Sequence, residues 1–247
     1  MTFKHLESGI PLGRMDNYLE LSAKLSEPTK TVLAYTLDVA AYLNSIGLDR
    51  DYALFGGYSV LSHLMKEQGE NIAALWRGST DIDMAGNMKV MSAIRSGYDI
   101  KSCLPSPNLE DKATIKLTTN GGAECRIDFY SGEFANKFRA KETNVHFGIP
   151  VNVIDPLSII ESKLRTPKEE LQHAGDIIGM LYVLERRGLT PAEIATHFAG
   201  ISKTKELYVR LKIGKREFKN DRLSLFPTKS FSGDLERRLH KYRPIAH

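Results

Sequence analysis

The chain has 247 residues, 42% of them hydrophobic and 26% charged, with 34 Lys/Arg against 30 Asp/Glu and a formal net charge of +4. That length buries a sizeable core, and the balanced composition excludes a disordered or fibrous chain. No run reaches the ~18 to 20 apolar residues of a membrane span, the start lacks an apolar signal-peptide core, and Cys103 and Cys125 lack metal-ligand spacing, so the expectation is a reduced, cytoplasmic protein with no membrane partner.

Residues 1–27 read as an N-terminal extension, irregular around Gly9, Pro11 and Gly13, with a short helix from Asp16 to Leu25. From Pro28 to Leu48 the apolar positions Val32, Leu33, Tyr35, Leu37, Ala40 and Leu43 recur at helical spacing, and Gly47 is a stop signal. Asp49-Arg50-Asp51 follows as a turn or capping element. Tyr52-Ala53-Leu54-Phe55 is then a short apolar strand ending in Gly56-Gly57. A strand, a glycine pair and a helix start let backbone N–H groups approach phosphate oxygens. The helix Tyr58–Lys66 would pack through Val60, Leu61, Leu64 and Met65, leaving His63 at the surface, and residues 67–75 read as a loop or frayed helix end.

Arg77-Gly78-Ser79-Thr80-Asp81-Ile82-Asp83-Met84 is the stretch that carries chemistry. In a strand Asp81 and Asp83 share one face while Ile82 and Met84 pack behind them. Two adjacent carboxylates repel at neutral pH, and a divalent cation such as Mg²⁺ between them relieves the repulsion. Arg77 is placed to pair with phosphate and Ser79 to hydrogen-bond a phosphate oxygen. After a helix Met88–Ser96, a strand Tyr98–Leu104 and a loop at Pro105-Ser106-Pro107-Asn108, strands 113–118 and 123–130 form a hairpin about Asn120-Gly121-Gly122. Asp128 lies on the second arm, flanked by Ile127 and Phe129, so its own face is the solvent or cleft side. A third carboxylate on a neighbouring strand points to a two-metal phosphoryl-transfer site.

Val145–Ile154 reads as a strand pair bent at Gly148 and Pro150, after which helices begin at Asp155-Pro156, Thr166-Pro167 and Thr190-Pro191, the last two with capping-box glutamates Glu169 and Glu193. In the long helix Pro167–Arg186, Asp176 is the one charged residue of the apolar segment 174–184, so it needs a partner such as Lys163 or Arg165. That pair is either purely structural or a means of holding Lys163 for a nucleotide. His173 and His197 read as structural. Residues 201–247 hold 13 Lys/Arg against 5 Asp/Glu, interleaved with Tyr208, Phe218 and Tyr242, a composition suited to RNA. A solvated helical face is the competing explanation.

Taken together, Gly56-Gly57, Arg77 and Ser79 leading into Asp81-Ile82-Asp83, Asp128, Lys163 and Asp176 resemble the DNA polymerase β-like nucleotidyltransferase superfamily. Within it the chain looks most like the AbiEii/MenT-type toxin and abortive-infection enzymes, over roughly residues 50 to 185. Family members often carry a further acidic residue where this chain has Gly179. The resemblance implies an α/β (α+β) fold with a mixed-sheet nucleotidyltransferase core over 28–154 and a helical lobe over 155–247 ending in the basic region. It also implies metal ligands Asp81, Asp83 and Asp128, catalytic roles for these with Lys163 and Asp176, and nucleotide contacts from Gly56, Gly57, Arg77, Ser79 and Lys163. The expected reaction moves a nucleoside monophosphate from an NTP, with Mg²⁺, to a tRNA, other RNA or protein hydroxyl in a toxin–antitoxin or phage-defence setting, with a separate antitoxin as partner. A small-molecule nucleotidyltransferase of the aminoglycoside-modifying kind, or a non-catalytic nucleotide- or RNA-binding protein, are the alternatives.

Overall fold

A computed structural model describes residues 5–75, 79, 81–106, 109–118, 124–136, 141–165 and 171–198. The predicted Arg77, the turn at Asn120-Gly121-Gly122, the helix start at Thr166-Pro167 with Glu169, and the basic region 201–247 lie outside the described residues.

The chain divides into two compact units at the Asp155/Pro156 junction. The first opens with helices α1 (Leu6–Gly9), α2 (Leu12–Lys24) and α3 (Glu27–Ser45), then strand β1 (Tyr52–Phe55), helix α4 (Gly56–Gln68) and a 3₁₀ turn at Glu70–Leu75. It continues with β2 (Asp81–Gly86), α5 (Met88–Gly97), β3 (Ile100–Ser106), β4 (Leu109–Thr118), β5 (Glu124–Tyr130), α6 (Gly132–Asn136), β6 (Lys141–His146) and β7 (Ile149–Ile154). The strands form one mixed seven-stranded sheet in the order β3-β4-β5-β2-β1-β7-β6. Two neighbouring pairs are parallel, β1 with β7 and β2 with β5; the others are antiparallel. This is the expected α+β class with a mixed sheet.

Alternation decides which face of each strand is core. Ile82 and Met84, Ile127 and Phe129, and Ile115 and Leu117 occupy one face of β2, β5 and β4 and are all buried. Burying side chains of this size stabilises by about 1.5–3 kcal/mol each. α3, α4 and α5 all pack on the sheet. The first residues belong to the same unit: Leu6, Ile10, Tyr18 and Leu21 are buried, and the His5 backbone N–H donates to Asp38 Oδ1 at 2.7 Å. Asn87 caps α5 through Lys89 N and Val90 N, and its amide also reaches Asp51 Oδ1 at 2.8 Å.

Three local expectations are corrected. His63 is not at the surface but fully buried, because α4 is covered on nearly all sides from Gly57 to Met65. Its Nε2–H donates to the Ile154 carbonyl at 2.8 Å. Beside it, Asn144 donates to Ser62 Oγ (3.0 Å), which meets His146 Nε2 at 2.7 Å. Within 67–75 the chain forms the 3₁₀ turn rather than a loop, and Pro105 and Ser106 are still strand, paired with β4. Cys125 is buried and Cys103 half-buried, both as free thiols.

The second unit contains α7 (Pro156–Arg165), α8 (Leu171–Arg186) and α9 (Pro191–His197). α7 packs on α8 through an apolar interior that includes Ile159, Ile160, Ile177 and Leu181. α9 has the predicted capping box, Thr190 with Glu193. No helix among the described residues is long and apolar enough to cross a membrane.

Candidate functional site

β2 carries its two carboxylates as its pattern dictates. Asp81 and Asp83 are half-buried on one face, and Ile82 and Met84 are buried on the other. A one-residue slip of this strand would drive both charges into the core and both apolar chains out of it, so the hydrophobic pattern itself sets the register.

Neighbouring strands extend the face. β2 runs parallel to β5 with Asp83 beside Asp128 and Asp81 beside Arg126. β5 pairs with β4, which sets Thr114 beside Asp128. One row across three strands is therefore Asp83, Asp128 and Thr114. A second row, two residues along, holds Asp81 and Arg126.

These side chains are tightly linked. Ser79 Oγ donates to Asp81 Oδ1 at 3.0 Å, and Arg126 Nη2 donates to Asp81 Oδ2. The same guanidinium lies with Nε 3.4 Å from Asp128 Oδ1. Thr114 Oγ1 donates to Asp128 Oδ1 at 3.0 Å, and Lys112 Nζ sits 2.7 Å from Asp128 Oδ2. Asp128, expected on an open face, is only 6% exposed, because donors from β4 and β5 close over it. Lys112 also lies 4.9 Å from the centre of the Tyr130 ring, which meets Phe55 edge-on at 5.0 Å.

Electrostatics follow from this crowding. Burial alone would pull the Lys112 ammonium down, but the hydrogen bonds it donates to Asp128 and Tyr130 outweigh it and leave the lysine above its ordinary range. Burial likewise works against the Arg126 guanidinium, and Asp81 and Asp128 more than compensate. Tyr130 is raised first by its own burial, against the hydrogen bond from Lys112. Cys125 is pushed up to about 12 by burial, with the Asp81 charge adding to it.

Gly56 completes the site. Its φ is +66°, and a Cβ there would fall 1.9 Å from Asp83 Oδ2. Only glycine satisfies both the left-handed backbone and the contact. Gly57 follows inside the first turn of α4, buried, and the N-cap residue Phe55 makes no side-chain hydrogen bond to that turn. The first turn of a helix is where backbone N–H groups point outward toward an anion.

Of the predicted residues, the structure brings together Gly56, Ser79, Asp81, Asp83 and Asp128. Lys163 and Asp176 are paired with each other in the helical unit, Nζ to Oδ2 at 3.0 Å, with Asp176 fully buried; Arg165 pairs instead with Glu161. His197 stacks edge-on against Phe198. Sequence reasoning missed Arg126, Lys112 and Thr114. Arg126 was visible in principle, since i and i+2 on one strand share a face with Asp128. Lys112 and Thr114 depend on the register within the β4–β5 hairpin, and Lys112 lies just outside the strand 113–118 read from the sequence. Among the described residues, no group of three or more His, Cys, Asp or Glu side chains stands in a metal-ligating arrangement.

No family description matches the sequence, and no curated protein matches it. Among solved structures, the chain is similar to an antigenic nucleotidyltransferase-like protein from Paracoccidioides brasiliensis. That likeness is 16% identical, covers 88% of this chain and 94% of that one, and has a TM-score of 0.44. It is also similar to the Megavirus polyadenylate synthase at 8% identity, covering 83% of this chain and 49% of that one, with a TM-score of 0.31.

Proposed function

We propose that the protein is a nucleotidyltransferase that moves a nucleoside monophosphate from an NTP to an acceptor hydroxyl. The observation that carries this reading is the register of β2 with β5, which sets Asp83 beside Asp128 and leaves Asp81 on the same face, next to a glycine-started helix. Carboxylate oxygens are the hard ligands magnesium takes, but Asp81 and Asp128 are engaged by protein donors as they stand, so holding an ion requires those donors to give way. Asp81, Asp83 and Asp128 would hold it, and magnesium when bound would offset charge on the triphosphate and on the attacking and leaving oxygens.

The protein's own groups do the rest. The first turn of α4, at Gly56 and Gly57, accepts phosphate oxygens through backbone N–H groups, and Ser79 holds Asp81 in orientation. Asp128, held by Thr114 and Lys112, would take the acceptor hydroxyl's proton once one of these donors gives way. The acceptor oxygen bonds the α-phosphorus as the bond to the β-phosphoryl oxygen breaks, and pyrophosphate leaves. Arg77 and Lys163 are proposed as further contacts to the triphosphate.

The acceptor class we favour is an RNA 3′ or 2′ hydroxyl, tRNA included, over a protein hydroxyl, because the sequence of 201–247 pairs aromatics with an excess of Lys/Arg. The setting proposed is toxin–antitoxin or phage defence, with a separate antitoxin.

The test is incubation of full-length protein with each of four α-³²P-labelled NTPs, Mg²⁺, and total RNA and protein, beside an Asp81→Ala/Asp83→Ala variant. Label on RNA or protein with the wild type alone is expected. Equal labelling by the variant, or none by either, would overturn the reading.

A further inference from the structure

A cleft of about 710 Å³ opens in the sheet unit at the end of β2 far from Asp81. That volume suits a small molecule, since ligand sites commonly run from about 300 to 1,000 Å³. Its floor is built of small buried residues: Ala53 and Ala85, paired across β1 and β2, with Gly86 beside them. Small side chains on paired strands leave a flat, apolar surface. Met88, 58% exposed at the rim, adds a polarizable thioether. Ala85 follows Asp83 by two residues on the same face of β2, about 7 Å along the strand.

The polar groups of the cleft are sorted by sign. On the β4 side stands Asp111, whose carboxylate takes no hydrogen bond among the described residues. It lies against the start of α6, where a Cβ on Gly132 would fall 2.4 Å from Asp111 Oδ1. On the β1 side stand Arg50 and Lys141. Lys141 Nζ donates to the Arg50 and Tyr52 carbonyls, and an ammonium has three donors, so one is left for a ligand. Asp51 lies between, because Asn87 Nδ2 holds its Oδ1 at 2.8 Å beside the end of β2. From β4 to β1 is three strand spacings, about 14 Å.

We propose that this cleft binds one nucleotide unit, base, ribose and phosphate together. The planar base lies on the alanine floor with its N–H edge toward Asp111, the ribose hydroxyls donate to Asp51, and the phosphate meets Lys141 and Arg50. Guanine suits a lone carboxylate best, because its N1–H and 2-amino group are adjacent donors. An amino acid also pairs an ammonium with an acid, but it is too short to reach from Asp111 to Lys141. Free nucleotide and a residue of RNA present the same groups. Binding here needs neither a metal nor a transfer step, so it is independent of the reaction proposed above.

The experiment is calorimetric titration of full-length protein with GMP and with guanosine, in EDTA. It compares wild type, Asp111→Asn, Ala135→Phe, Lys141→Gln and Asp81→Ala/Asp83→Ala. Ala135 is half-buried on α6 and lines the cleft, so phenylalanine there fills it. Thermal unfolding confirms that each variant is folded. Wild type should bind GMP saturably, and Asp111→Asn and Ala135→Phe should bind it about tenfold more weakly or worse. Lys141→Gln should lose the advantage of GMP over guanosine and keep the wild-type affinity for guanosine. Asp81→Ala/Asp83→Ala should match wild type. A guanosine-containing RNA trinucleotide that binds at least as tightly as GMP, with the same dependence on Asp111, makes RNA the source; weaker binding makes it the free nucleotide. No GMP binding by wild type, or GMP binding that Asp111→Asn and Ala135→Phe leave unchanged, overturns the proposal and leaves the label-transfer result standing. Absence of label transfer with GMP binding intact overturns the transfer reading alone.

Discussion

The molecule holds two clusters of opposite charges that look alike in a list of ion pairs and differ in construction. In the helical unit, Asp176 is fully buried and Lys163 is 12% exposed, and the two meet at 3.0 Å. In the sheet unit, Arg126 bridges Asp81 and Asp128, its side chain is 45% exposed, and Asp128 is also engaged by Lys112 and Thr114. A sealed pair compensates a charge that the fold has already buried. A shared, half-open set of donors holds carboxylates in place within reach of solvent. The first arrangement offsets the cost of burying its own charges; the second leaves its charges partly open to solvent.

The largest effect expected from breaking this contrast is on turnover. Asp81→Ala/Asp83→Ala should lower nucleotidyl transfer on the order of 10³-fold or more while shifting the melting temperature by only a few degrees, read by label transfer and by thermal unfolding. Gly56→Ala attacks the same face through the backbone. With φ at +66° and an added Cβ 1.9 Å from Asp83 Oδ2, it should cost transfer about 100-fold and stability about 1–3 kcal/mol.

The sealed pair should respond in the opposite currency. Asp176→Asn leaves the Lys163 ammonium without its carboxylate in an apolar interior and should cost about 3 kcal/mol in urea unfolding. The double variant Lys163→Met/Asp176→Leu should recover most of that loss. If this stable double variant transfers label at the wild-type rate, Lys163 belongs to the fold alone; a loss of transfer with stability intact gives it the nucleotide contact proposed above.

The smallest effect sharpens what burial does without a charge partner. Burial, reinforced by the nearby His63 and Lys66, lowers the His146 pKa to about 4 from 6.5. Below 6.5 the unfolded chain takes up a proton that the folded chain refuses. His146 therefore favours the fold fully above 6.5, and this contribution fades as pH falls through 4. The loss between about pH 7.5 and 5 should be about 2 kcal/mol in urea unfolding. A folded His146→Asn variant should lose most of that pH dependence.

Several features were legible before folding because they are local. Alternation in β2 placed Asp81 and Asp83 on one face; Gly56-Gly57 marked the strand-to-helix turn; the Thr190–Glu193 capping box started α9 where expected. The lone acid in an apolar helix called for a basic partner, and Lys163 is that partner. His63 misled for a reason that is also local: a helical stripe shows which side packs first, not whether the other side is covered as well. On α4 both sides are covered.

What the sequence by itself determined is the set of side chains each strand and helix can present, since periods of two and 3.6 residues assign faces without reference to the rest of the chain. Tertiary structure alone decided which faces meet. Asp83 beside Asp128, Thr114 and Lys112 over that carboxylate, and Arg126 across two acids all arise from the register among β4, β5 and β2, strands up to 45 residues apart. Register over that distance is a property of the whole core. Each apolar face must be buried at once, and only the alignment that buries them all brings these charges together.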